Sequence, residues 1–232
     1  MLLTTRRQVC SLAAALPVSA FASSVQASEA NAGAEKSPKA ELSVLLYPGF
    51  ETIDAMGPVE MFGNLRDFSM RFASLEGRVV KSAQGLPVMT EKFEMENASP
   101  LLLVPGAAPA FLPKDPRFFE MLKSAAQKAD YVLTVCTGSL LVAKTGLLNG
   151  KKATSNKKAL PMVMKAVPQV DWQKKARWVV DGRFYTSSGI SAGMDMALGF
   201  IADRFGEAEA RRIAGFTEYR RIADPSDDPF AI

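Results

Sequence analysis

The sequence predicts an α/β fold, a three-layer sandwich on a mostly parallel sheet. Three observations carry that expectation. Short apolar runs of strand length, at 42–47, 101–104 and 131–135, alternate with stretches of helical spacing. The runs are closed by turn signals such as Pro48-Gly49 and Pro105-Gly106. Finally, about 190 residues from Glu41 onward suffice for one well-buried domain.

In chain order, 42–47 is the first strand, and Asp54 falls in a short irregular or helical stretch behind it. Gly57-Pro58 is expected to open the first helix, because proline is tolerated at the first helical position. Val59, Met61, Phe62 and Leu65 form its apolar side. Strands at 69–75 and 86–90 flank a Glu76-Gly77 turn, and 101–104 is a fully apolar strand. A helix over 118–129 leads to the strand at 131–135, and 139–143 is again helical. A helix is expected over 157–167, and a hairpin over 176–186 turns at Asp181-Gly182. Met194, Ala197, Leu198, Ile201 and Phe205 give the last long helix, from near Ser191, its spacing. Residues 207–219 continue as a helix, and 224–232 is a Pro/Asp-rich tail. There is no internal repeat.

The N-terminus reads as an address. Residues 1–30 carry Arg6-Arg7, an apolar run over 12–22 and small residues before Ala27 and Ala30, the layout of a cleavable signal peptide. Thr5-Arg6-Arg7-Gln8-Val9 resembles a twin-arginine signal, which implies an exported, periplasmic protein. The apolar run is too short to span a bilayer. Residues 31–40 read as a flexible lead-in, and the domain is expected over 41–232. Loss of 1–30, with Arg6, Arg7 and Glu29, lowers the net charge from +4 to +3, too slight to argue for nucleic acid. The pairs Lys151-Lys152, Lys157-Lys158 and Lys174-Lys175 are expected to be solvated surface.

Chemistry centres on residues 130–144. Cys136 sits between a strand and a helix, followed by Thr137 and Gly138. Free N–H groups at that helix start favour a thiolate. Cleavage of the signal, which holds Cys10, leaves Cys136 as the lone cysteine. The chain has no histidine, so a Cys-His dyad, a Ser-His-Asp triad and His-ligated metals are excluded. Two decoys fail. Gly146 to Lys151 has three residues between its glycines where a phosphate loop needs four, and it follows a helix. Gly189-Ile-Ser-Ala-Gly193 matches G-x-S-x-G, but Ser191 lacks a conventional base and reads as a helix N-cap between close-packing glycines.

Five ordered motifs then come together: Leu45-Leu-Tyr-Pro-Gly-Phe50, Asp54-Ala-Met-Gly-Pro-Val-Glu60, Val104-Pro-Gly106, Val135-Cys-Thr-Gly-Ser139 and Thr186-Ser-Ser-Gly-Ile-Ser-Ala-Gly-Met-Asp-Met196. Together they resemble the ThiJ/PfpI superfamily, which implies a flavodoxin-like, class I glutamine amidotransferase-like fold. An aspartate shortly before Gly-Pro, combined with Cys-Thr, is similar to the isonitrile hydratase-like branch. The resemblance implies catalytic roles for Cys136, Thr137 and Asp54, with Glu60 as a rival acid. Two departures stand out: Ala107 where many relatives have glycine, and Asn156 where many have histidine.

The function expected on this basis is cofactor-free hydration of an isonitrile to an N-substituted formamide, a lyase reaction on a small electrophile. Asp54 is expected to be the acid and Cys136 the nucleophile. The Thr137 and Gly106 backbone N–H groups face the developing charge, and the Thr137 hydroxyl holds water. No metal is expected. The alternatives are a glyoxalase-like enzyme acting on a reactive carbonyl, and a ligand-binding or redox-sensing module like the sensor halves of AraC-like regulators. Only 27 residues follow Phe205, which argues against a tandem DNA-binding region, so no nucleic-acid partner is expected. No membrane partner is expected after signal cleavage. The resemblance also implies a homodimer.

Overall fold

The computed structural model describes residues 40–232. The expected signal peptide and nearly all of the lead-in lie outside the described residues. The strands are β1 (Ala40–Leu45), β2 (Phe68–Ser74), β3 (Val79–Lys81), β4 (Pro87–Met89), β5 (Glu91–Lys92), β6 (Leu101–Val104), β7 (Tyr131–Thr134), β8 (Lys152–Ala153), β9 (Asp171–Trp172), β10 (Trp178–Asp181) and β11 (Phe184–Ser187). The helices are α1 (Thr52–Gly63), α2 (Pro116–Lys128), α3 (Gly138–Lys144), α4 (Leu160–Ala166), α5 (Ala192–Phe205) and α6 (Glu207–Phe216).

Seven strands form the central sheet in the order β10-β11-β7-β6-β1-β2-β5. Every pair is parallel except the β10–β11 hairpin. Helices α1, α5 and α6 pack on one face and α2 and α3 on the other. The inner strands are apolar on successive residues because both faces are covered: Leu101, Leu102, Leu103 and Val104 are all buried. From β1 the chain runs outward to β2, then returns to place β6 on the other side of β1. That reversal opens a crevice at the carboxyl ends of β1 and β6, where open α/β sheets bind ligands.

Three expectations need correction. Helix α1 starts at Thr52, and Pro58 lies inside it. Proline has no N–H for the carbonyl four residues back, here that of Asp54, and normally disrupts a helix. Packing overrides this preference: Gly57 lets the helix approach Met194, and Pro58 sits beside Gly193. The helix expected over 157–167 begins only at Leu160. Lys157 is not solvated surface, because its side chain is only 4% exposed. The Pro/Asp-rich 224–232 tail is anchored at Asp228, which is buried. Ser191 does occupy the N-cap of α5, but its side chain makes no capping hydrogen bond. The short strands β3, β8 and β9 carried no clear sequence signal.

Candidate active site

Four adjacent strands deliver the site from their carboxyl ends: β1 leads to Asp54, β6 to Gly106, β7 to Cys136 and β11 to residues 188–190. Cys136 sits on a sharp elbow with φ 58°, a conformation costly for a residue with a Cβ. The elbow closes because Gly138 N–H donates to Val135 O at 2.9 Å. Only glycine fits at 138, since a Cβ there would lie 2.1 Å from Val104 O. The strained peptide is clamped through its carbonyl, which accepts from Ser139 Oγ at 3.0 Å and Ser155 Oγ at 2.9 Å. Its N–H donates to Ser188 O at 3.0 Å.

Asp54 lies in the first turn of α1 and is 0% exposed. Its Oδ2 accepts from Gly106 N–H at 3.0 Å. Its Oδ1 is buried without a conventional hydrogen-bond partner, and the Cys136 thiol is the polar group that couples to this carboxyl. Burial disfavours the carboxylate and pushes the Asp54 pKa up to about 7. The Gly106 hydrogen bond opposes that rise, and the negative Glu51 nearby adds to it.

Cys136 departs from the thiolate expected at a helix start. Burial and the negative field of Asp54 push its pKa well up, while the Thr137 and Ile190 N–H groups pull it down. The short α3 does not outweigh desolvation beside a carboxylate. Because the thiol is raised further than the carboxyl, the proton that remains after Asp54 ionises rests on the Cys136 sulfur.

The other expected residues are close, but not all are free. The Gly106 N–H, expected to face developing charge, is taken by Asp54 Oδ2. A Cβ at Gly106 would lie 2.6 Å from both Thr137 N and Thr137 Oγ1. The Thr137 hydroxyl donates to Ala107 O at 2.7 Å and accepts from Ala107 N–H at 2.9 Å, so its proton is not available to hold a water. Glu60 is exposed and lines a different groove with Met194 and Phe216, away from Cys136.

The cleft above Cys136 is about 400 Å³ and is walled by Glu51, Pro109, Asn156, Lys158, Met162 and Ile190 among others. Asn156 therefore lines the same cleft as the cysteine. Its Oδ1 accepts from Ala159 N–H at 3.1 Å, which leaves its NH₂ to serve as a donor. Sequence reasoning missed three groups. Tyr47 is buried beside the pair, with its hydroxyl on Pro105 O at 2.8 Å. Glu51 is on the cleft wall. The Ile190 N–H lowers the thiol pKa. The last lay inside the rejected G-x-S-x-G match, whose value here is its backbone. Among the described residues no group of three His, Cys, Asp or Glu side chains is placed to hold a metal.

A cysteine elbow over a parallel sheet, paired with a buried carboxyl from the first helix, defines the class. The DJ-1/PfpI family pattern matches residues 40–203, and the chain belongs to that family. Among curated relatives, the isonitrile hydratase of Pseudomonas putida is 33% identical over 184 residues, covering 77% of this chain and 78% of the hydratase. The HTH-type transcriptional regulator GbdR of Pseudomonas aeruginosa is 27% identical over 80% of this chain, which matches 52% of the regulator's length. Among solved structures, a ThiJ/PfpI family protein from Pseudomonas syringae superposes with TM-score 0.67 at 27% identity, covering 82% of this chain and 77% of that one.

Proposed function

We propose that the protein hydrates an isonitrile to an N-substituted formamide. One observation carries this reading: the Cys136 thiol shares a buried, histidine-free pocket with a carboxyl whose pKa lies near 7. An isonitrile needs a proton and a nucleophile at the same terminal carbon, and this pair supplies both. Transfer of the thiol proton to Asp54 generates the reactive form, in which Asp54 protonates that carbon as the sulfur adds to it, giving the thioimidate R–N=CH–S–Cys136. Water then attacks this carbon, and Asp54 takes one of its protons and passes it to the nitrogen, so that the carboxylate is ionised again beside the adduct. Collapse of R–NH–CH(OH)–S–Cys136 expels the thiolate, releases R–NH–CHO and returns one shared proton to the pair. The Thr137 and Ile190 N–H groups stabilise the sulfur while it is negative, a preorganised effect of the oxyanion-hole kind. The similarity to an isonitrile hydratase supports this assignment.

The test is product analysis with small alkyl and aryl isonitriles. Formamide should form with the wild type and vanish with Cys136→Ala; equal product from both proteins, or none from either, ends this reading. The regulator-like relatives favour one second reading, a ligand or redox sensor built on the same cysteine. It predicts peroxide-dependent mass shifts confined to Cys136 and no turnover of any electrophile.

A further inference from the structure

The turn that faces Cys136 is not held by the sheet. Pairing of β11 with β7 ends at Thr186 against Thr134, so residues 188–190 lie beyond the ladder. Yet this turn is bonded to the cysteine, since Ser188 O accepts the Cys136 N–H at 3.0 Å, and its Ile190 N–H lowers the thiol pKa. Ile190 has φ 33°, which requires outside restraint. Part of that restraint is local, since Ser188 N–H donates to Arg177 O at 2.7 Å. The start of α5 adds Ala192 N–H to Gly189 O at 3.1 Å and Gly193 N–H to Ile190 O at 3.2 Å, and the C-terminal segment adds a side-chain tie, where Asp228 Oδ2 accepts the Ser188 hydroxyl at 2.8 Å.

Asp228 is itself fixed in place. Its side chain is fully buried, with Lys157 Nζ 3.4 Å from Oδ2. Its Oδ1 accepts from Phe230 N–H at 3.1 Å, and Arg177 lies at 3.9 Å. Arg177 pairs with Asp195 at 2.6 Å, and Asp195 Oδ1 accepts from Ile222 N–H at 2.8 Å. The two cations and two carboxylates of this buried cluster balance. The cluster stitches 222–228 against the turn without any of its four side chains lining the cleft above Cys136.

We propose that Ser188 is a positioning residue for Cys136, and that the C-terminal segment sets it through Asp228. Ser188 has no contact with substrate in this scheme; it holds a peptide turn whose N–H steadies the reacting sulfur. The inference rests on Cys136 being the reacting group, but not on the substrate being an isonitrile.

The experiment follows alkylation of Cys136 by iodoacetamide across pH, read by intact mass, in wild type, Ser188→Ala and Ser188→Thr. Melting temperature and isonitrile turnover are measured on the same samples. Asp54, Tyr47 and Glu51, which face or flank the sulfur, are unchanged in all three proteins. In Ser188→Ala, Asp228 keeps Lys157, so the melting temperature should shift by less than about 5 °C. The alkylation profile should nevertheless move up by about 0.5–1 pH unit, a three- to tenfold slower reaction at fixed pH. Ser188→Thr should restore it. If the Ser188→Ala profile superimposes on the wild type, or if its loss merely tracks unfolding, the proposal is wrong. If alkylation responds as expected but no isonitrile is consumed, the positioning role stands and the isonitrile reading falls.

Discussion

Asp54 and Asp195 are both fully buried carboxyls, and the fold treats them in opposite ways. Asp195 has both oxygens occupied, one by the Arg177 guanidinium and the other by the Ile222 N–H. Asp54 has one backbone donor on Oδ2 and nothing conventional on Oδ1. Removal from water penalises an ionised group unless partners replace the lost hydration. Asp195 has those partners and ties the C-terminal segment to α5. Asp54 lacks them, so its proton is held near neutrality beside a thiol. In the proposed reaction the partly unsatisfied acid is the reagent, whereas the fully satisfied one fastens the fold.

The contrast predicts effects of opposite kind. The largest should come from Asp54→Asn, which is nearly isosteric and can keep the Gly106 hydrogen bond. Turnover should fall by about 10²–10⁴-fold, the usual contribution of a general acid–base group. Alkylation of Cys136 by iodoacetamide should hold its rate or rise, because the negative neighbour that disfavours thiolate has gone. Parallel loss of both would mean that Asp54 is only structural.

Arg177→Met should do the reverse. It strands Asp195 as an unpaired buried charge, and breaking a buried pair from one side typically costs about 3–5 kcal/mol. Urea unfolding should register that loss. An unfolding midpoint equal to wild type would show that the cluster is not the fastener described.

Next comes the pH dependence of stability. The Asp54 pKa is raised from 3.8 to about 7 in the fold, so the native state keeps a proton that the unfolded chain releases between those values. Stability contributed at Asp54 therefore falls as pH rises through that window and levels off above it. At about 1.36 kcal/mol per pH unit, the upper limit is ~4 kcal/mol. Asp54→Asn should lose this slope and gain on the wild type at pH 8 relative to pH 5, as urea midpoints at the two values would show. The smallest effect belongs to Glu60→Gln, an exposed side chain outside the cleft; turnover should stay within about twofold. A collapse of activity there would move the acid away from Asp54.

Much of this molecule was readable in order along the chain. The strand runs at 42–47, 101–104 and 131–135 fall within a residue or two of β1, β6 and β7, because strands buried on both faces announce themselves by continuous apolar residues. Cys136 was readable because the elbow is local: a strand, three turn residues and a helix start are contiguous. Asp54 was legible as a residue near the end of the first strand, though the helix around it was misplaced. Pro58 signals a helix start by local rules and is carried in mid-helix by packing against α5.

What the sequence by itself determined, then, is the layered α/β class, the strand–cysteine–helix elbow and the absence of histidine from its chemistry. The tertiary structure decided which groups are free to act. Gly106 N–H and the Thr137 hydroxyl had looked available and are occupied; Glu60 was a rival acid and is outside the cleft. The structure also decided that Lys157 and Asp228 are buried partners, although they are 71 positions apart and each sits in a polar run that reads as surface. The physical reason is common to all of these cases. Periodicity and turn chemistry act within one element, whereas hydration and hydrogen-bond partnership depend on distant chain segments meeting at the sheet's carboxyl edge.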